Sequence, residues 1–406
     1  MHSRIHVIAA ACLVALASSA QAQDGASMFS VSGFGTVGAV KTSTDMGAYQ
    51  ASVRPGGAKS DWNTDVDTKL AVQVTATFNP MFSATGQLMT RVNGEGNWNP
   101  AIQWLFAKAK FGKGFSARAG RIGAPFFMVS DFRDVGYTNV WVRPPVDVYG
   151  QVNFSTFDGA DLLYQGDVGP ASINAQVFGG KASVDFGGGV DVKLKNLLGF
   201  NASAEMGPVT VRVGHLKTKL TVLGSAGLNS LVGGLKQVGQ TPGLGGLVTL
   251  ANDMDVNGKN ATFTGIGMAL DWNNIVASAE FTKRRTDSYI ADTTGWYTTV
   301  GYRVGKFTPY VTLSEIQQDS PTSSNAIPPL PQLAPLAAGL NGLLRSLGQS
   351  TTAVGVRWDA MKNVAVKGQY DRIKVDAGAA GLFNSALPGL GGTSVNVYSV
   401  VVDFVF

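Results

Sequence analysis

The sequence predicts an all-β fold, a 16-stranded antiparallel transmembrane β-barrel, and three observations carry that prediction. Hydrophobic residues make up 45% of the 406-residue chain and charged ones only 15%, yet past the N-terminal segment there is no uncharged apolar run of the ~18 residues that a spanning helix needs. A chain that crosses a bilayer without such helices must close a sheet on itself, because every backbone N–H and C=O needs a partner within the protein. Short segments of alternating polarity recur between turn residues, which is the pattern of barrel strands. The chain also ends on an aromatic strand, with Tyr398, Val400, Val402, Phe404 and Phe406 on one face and Ser399, Val401, Asp403 and Val405 on the other.

The N-terminal segment reads as a secretory signal. Arg4 precedes an apolar stretch to Ala17, and small residues stand at Ala20 and Ala22, so residues 1–22 are expected to be cleaved before Gln23. The stretch is too short to be a membrane anchor. Residues 23–406 then form one barrel. Cleavage removes the sole cysteine, Cys12, together with His2 and His6, leaving His215. No disulfide framework, zinc site or other cofactor is expected. A formal charge of +5 is far from a nucleic-acid footprint, so no nucleic-acid partner is expected. Catalysis on a barrel wall would need a nucleophile, a histidine and an acid or amide together. His215 has no such nucleophile at a suggestive spacing, and the chain does not read as an enzyme.

The opening strand, 28–41, sets Phe29, Val31, Val37 and Ala39 on one face. Seven tight connections follow, at Asn79-Pro80, Gly112-Lys113-Gly114, Asp167 to Pro170, Gly207-Pro208, Asp271-Trp272-Asn273, Gly305-Lys306 and Asp359-Ala360-Met361. These are the residue types that supply turn geometry. Seven hairpins and the two end strands make sixteen, an even number that returns both ends to the periplasmic side. The longer segments 42–66, 124–155, 180–198, 221–260, 317–349 and 375–393 are expected as external loops, with 92–100 and 286–292 as short ones.

Alternation assigns each strand a lipid face and a lumen face. Val72 and Val74 oppose Gln73 and Thr75; Val209, Val211 and Val213 oppose Thr210 and Arg212; Val354, Val356 and Trp358 oppose Arg357; Val364 and Val366 oppose Lys367. A Lys or Arg at mid-membrane depth on the lipid face costs about 2–4 kcal/mol, which settles the phase. The inward set then holds Lys69, Lys108, Lys110, Arg118, Arg212, Arg303, Arg357 and Lys367 against Asp161, Glu205, Glu280, Asp371 and Asp403. That basic excess implies a wet lumen with a weak lean toward anions; each charge could instead pair with a neighbour and brace the wall. Phe78, Phe82, Phe111, Phe115, Trp272, Trp358, Phe404 and Phe406 fall at inferred periplasmic strand ends, as an interfacial aromatic girdle would.

Residues 115–166, FSARAGRIGAPFFMVSDFRDVGYTNVWVRPPVDVYGQVNFSTFDGADLLYQG, are the most distinctive text. Together with GVRWDAMKNVAVKGQYDRI and the ending VVDFVF, they resemble the general porins of Gram-negative (proteobacterial) outer membranes, a family of sixteen-stranded, usually trimeric channels. The resemblance implies a third external loop folded back into the barrel, with acidic loop residues facing a basic wall. By position that loop is 124–155, which contains Asp131 and Asp134; the wall residues opposite would be Lys108, Lys110, Arg118 and Arg212. These six are the expected pore constriction. The resemblance also implies the cell outer membrane as location, outer-membrane lipid and lipopolysaccharide as surroundings, a homotrimer, and recognition of the C-terminal strand by the barrel assembly machinery.

Three loops depart from the polar loops usual in such channels: residues 221–250, 325–347 and 376–392 are rich in Leu, Ala, Gly and Pro. Leu333, Leu336, Leu340, Leu343 and Leu344 recur at helical spacing. Such segments could pack together as a lid, touch the outer leaflet, line a path for a partly apolar solute, or simply pack loop to loop. Two functions are therefore expected in order: a water-filled channel for passive diffusion of small hydrophilic solutes and ions, and, as the alternative, a substrate-selective channel gated or lined by apolar external loops.

Overall fold

The computed structural model describes residues 27–51 and 56–406; the expected signal peptide, 1–22, lies outside them. Sixteen strands follow in chain order: β1 (Phe29–Thr42), β2 (Lys69–Thr77), β3 (Phe82–Arg91), β4 (Ala101–Gly112), β5 (Phe115–Gly123), β6 (Thr156–Val168), β7 (Ala171–Asp185), β8 (Asp191–Met206), β9 (Val209–Leu223), β10 (Lys259–Trp272), β11 (Ile275–Thr286), β12 (Thr293–Tyr302), β13 (Phe307–Gln318), β14 (Gln349–Met361), β15 (Val364–Val375) and β16 (Ser394–Val405). Each pairs antiparallel with its chain neighbours, and β1 with β16 closes the barrel. Among the described residues no edge strand is left to aggregate or to face lipid unpaired.

The closing seam explains the aromatic ending. Gly33 and Phe406 exchange both main-chain hydrogen bonds, at 2.9 and 3.0 Å. The rings of Phe406 and Phe404 lie across Gly33 and Gly35, where a Cβ would overlap them. Phe404 is accordingly only 7% exposed, which corrects its assignment to an open girdle. The expected girdle residues Phe78, Phe82, Phe111, Phe115, Trp272 and Trp358 are all exposed on the outer surface.

All seven expected hairpins are present, six of them at or within a residue of their expected positions. The seventh is shifted: Asp359, Ala360 and Met361 belong to β14, and the turn is Lys362-Asn363, with Asn363 at φ 64°. Asparagine tolerates that left-handed conformation. At the other end the connections are L1 (43–68), L2 (92–100), L3 (124–155), L4 (186–190), L5 (224–258), L6 (287–292), L7 (319–348) and L8 (376–393). L4 is much shorter than the expected 180–198, because β7 and β8 run on as a long hairpin through most of that segment.

The apolar loops fold on each other. L5 forms helices Ala226–Val238 and Gly246–Met254, and L7 forms a helix at Ala334–Leu344, where leucine spacing predicts one. Leu231, Leu235, Leu247, Met254, Leu333 and Leu340 make a separate core between them. Ser225 caps the first helix by accepting from Leu228 N at 3.4 Å. Each fully buried leucine contributes about 1.5–3 kcal/mol, enough for L5 and L7 to hold a fixed cap. L8 packs instead on L1 and the tops of β1, β15 and β16, with Tyr49, Phe383 and Leu390 buried.

Candidate functional site: the lumen and L3

The inward faces differ around the barrel. On one side Lys108 stands opposite Arg118 across β4 and β5, and both are half-buried while Lys110 is exposed. Arg118 pairs with Asp161 of β6 at 2.6 Å. Asp161 also accepts from Gln176 at 2.6 Å, and Gln176 from Asn201 at 2.7 Å. A polar rung thus crosses β5 to β8. Lys108 and Lys110 make no ion pair among the described residues.

On the other side the inward polar groups hold L3. Arg212 of β9 donates to the carbonyls of Pro125 and Met128 at 3.2 and 3.3 Å. Glu280 of β11 accepts from Met128 N at 2.9 Å and from the Tyr149 hydroxyl at 3.0 Å. Trp141 Nε1 donates to Thr299 of β12 at 2.9 Å. Arg357 of β14 donates to the carbonyls of Tyr137 and Asn139. Lys367 of β15 donates to the carbonyls of Gly136 and Trp141 at 2.6 and 2.8 Å and pairs with Asp403 of β16 at 2.8 Å, both side chains fully buried. A buried charge persists only when pairing or hydrogen bonds offset its desolvation; Lys367 has both, and Glu280 has its two donors.

L3 also contributes its own anchors. Arg143 pairs with Asp67 of L1 at 2.6 Å, donates to Ser399 at 2.8 Å and lies over the Tyr49 ring. Asp147 accepts from Ser314 of β13 and from Gln349 of β14. Burial pushes its carboxyl above the usual range, with those hydrogen bonds pulling the other way. Close approach is possible because Gly295 of β12 faces the loop: a Cβ there would meet Gln151 and the carbonyl oxygen of Asp147. Phe126, Phe127 and Trp141 fill the space against Phe263 and Tyr297. Phe126, Phe127 and Trp141 are buried between L3 and the wall, while Phe132 of the same loop is 40% exposed.

The six expected constriction residues divide accordingly. Arg212 and Asp131 approach to 4.0 Å. Asp134 pairs with Arg91 at 3.1 Å and Lys69 at 3.5 Å, on β3 and β2. Lys108, Lys110 and Arg118 form no pair with the loop. Sequence reasoning missed Arg91, the last residue of β3. Two members of the inward set do not face the lumen's middle. Arg303 lies in the β12–β13 turn, paired with Asp271 at 2.6 Å, and Glu205 is exposed at the same end of β8. His215 points outward, hydrogen-bonded to Thr264 at 2.8 Å and beside Phe200.

Solved structures with the same fold are outer-membrane channels and proteins. OmpT of Vibrio cholerae in its trimer form aligns over 94% of this chain and 100% of its own, with 11% identity and a TM-score of 0.55. OmpF of Salmonella typhi, solved in complex with daunomycin, aligns over 93% of this chain and 97% of its own, with 15% identity and a TM-score of 0.55. An anion-selective porin from Comamonas acidovorans aligns over 93% and 99%, with 12% identity and a TM-score of 0.56. No family model matches the chain, and no curated protein does. At these identities the likeness establishes the fold, that of the sixteen-stranded barrels of Gram-negative outer membranes.

Proposed function

We propose that this chain is an outer-membrane porin, a trimeric water-filled channel through which small hydrophilic solutes and ions diffuse passively, narrowed by L3 and leaning weakly toward anions. The observation that carries the reading is the two-sided lumen. L3 is hydrogen-bonded to the wall from β9 to β16, while the face from β2 to β5 keeps Lys69, Arg91, Lys108, Lys110 and Arg118. Of the acidic groups near that face, Asp161 and Asp134 are already paired, so the net field there is positive. A charged constriction sorts ions by concentrating the opposite sign, and it needs no chemical step.

The other expected surroundings follow from the same reading: lipid and lipopolysaccharide around the apolar belt, and the barrel assembly machinery at the C-terminal strand. The reading is tested by swelling of liposomes that contain the purified protein, with neutral sugars of increasing size. Uptake that falls steadily with size and never saturates fits passive diffusion. Uptake no faster than in protein-free liposomes would overturn it.

A further inference from the structure

A cavity of about 470 Å³ lies above L3, bordered by the tops of β8 to β11 and by L1 and L3 to L8. Its size suits an organic molecule of moderate bulk. Its lining is unlike a porin lumen. Val192, Leu194, Leu220 and Phe263 face it from the wall, Phe154 from L3 and Phe383 from L8. Among the described residues its lining holds no Asp, Glu or Lys, and the charged groups are two arginines, Arg284 and Arg345.

Both guanidinium groups are fixed by main-chain carbonyls and neither has a carboxylate partner among the described residues. Arg284 donates to Gln151 O at 2.6 Å and to Ala291 O at 2.8 Å. Arg345 donates to Ala379 O at 2.8 Å, Ala386 O at 3.0 Å, Gly378 O at 3.2 Å and Leu387 O at 3.3 Å. Arg285, the next residue on β11 and on its outer face, shows the contrast, since it pairs with Asp319 at 2.7 Å and Asp292 at 3.8 Å. Carbonyls orient a guanidinium without cancelling its charge. Two oriented cations therefore border a mostly apolar cavity; of the five N–H donors on each guanidinium, these carbonyls leave two free on Arg284 and one on Arg345.

We propose that this external vestibule is a binding site for an amphipathic organic acid, an aromatic or medium-chain aliphatic carboxylate. Its apolar body lies against Leu194, Leu220, Phe263 and Phe383, and its carboxylate is directed to Arg284 and Arg345. The site deepens the channel reading, because it stands at the external entrance of the proposed pore, but binding itself does not require conduction.

The test is equilibrium dialysis of 2-naphthoate against the purified protein in nanodiscs, with the neutral 2-naphthamide and with acetate as comparisons. The expected result is saturable uptake of one naphthoate per chain, naphthamide weaker by about tenfold or more for loss of a charge-assisted hydrogen bond, and no acetate uptake at the same concentration. Arg345→Gln should weaken naphthoate about tenfold and leave naphthamide unchanged, and Leu220→Asn should weaken both. Equal binding of naphthoate and naphthamide, unaltered binding by Arg345→Gln, or no saturable binding would each overturn the proposal. The comparison of the two probes on the unaltered protein stands even if a variant fails to fold. Conductance of the same preparation separates the two ideas: ion conduction without naphthoate binding overturns the vestibule alone, and binding without conduction overturns the channel alone.

Discussion

The lower and upper parts of the barrel wall use the same alternation with opposite polarity. In β9, Val209, Val211 and Val213 face out and Arg212 faces in; further up the same strand, Lys217 and Lys219 face out while Leu216 and Leu220 are buried inside. The phase never slips, and only the polarity inverts, at Gly214 and His215. β8 reaches the same result through a bulge between Lys195 and Leu198. Below it Leu198 and Phe200 are exposed outward; above it Leu194 is buried inward and Lys195 is exposed. On β11 Phe281 faces out at membrane level and Lys283 and Arg285 face out above it. Outward apolar residues mark the depth at which the solvent is lipid, and outward lysines mark the depth at which it is water and headgroups.

This contrast can be broken from either side, and the largest effect is expected where inward charge is buried. Lys367→Met leaves Asp403 buried without its cation and removes two hydrogen bonds to L3. It should cost about 3–5 kcal/mol, read as a lower urea midpoint by tryptophan fluorescence. In the upper part, Leu235→Ala empties a fully buried position of the cap and should cost about 2–5 kcal/mol, confined to L5 and L7. Hydrogen exchange should quicken over residues 226–254 and 334–344 and stay unchanged in the strands.

Polarity itself is tested next. Val211→Arg puts charge on the lipid face and should cost about 2–4 kcal/mol, whereas Lys219→Leu, on the same outer face of β9 higher up the strand, should stay within about 0.5 kcal/mol. Equal costs in urea unfolding would sink the two-depth account. The smallest effect is expected at Asp131, which is 66% exposed and 4.0 Å from Arg212. Asp131→Asn should change stability by less than about 0.5 kcal/mol and move the reversal potential slightly toward that of chloride.

The same contrast decides what could be read from the sequence. The strand count, the periplasmic turns and the lipid face of β2, β9, β14 and β16 were legible because turn residues and period-two apolar patterns are local signals. The span 180–198 looked like a loop because inverted polarity no longer fits the membrane pattern, although β7 and β8 continue through most of it. The inward charges were legible as inward, but alternation carries no information on what covers them. Lys367, Glu280 and Asp403 therefore looked like water-facing residues and are buried beneath L3. Arg91 escaped notice for the opposite reason, standing at a strand end beyond the alternating window. The helical cap was legible in part: leucine spacing marks the helix at Ala334–Leu344, but not the core it shares with L5.

The most direct test of the central claim, an open and positively lined passage beside L3, is conductance in planar bilayers under a potassium chloride gradient. The unaltered protein is compared with a Lys69→Gln, Lys108→Gln, Arg118→Gln triple variant. The account predicts stable ohmic steps arriving in threes, a reversal potential on the chloride side, and a shift toward the potassium side in the variant. Absence of steps, or a reversal potential that the triple variant leaves unmoved, would contradict it.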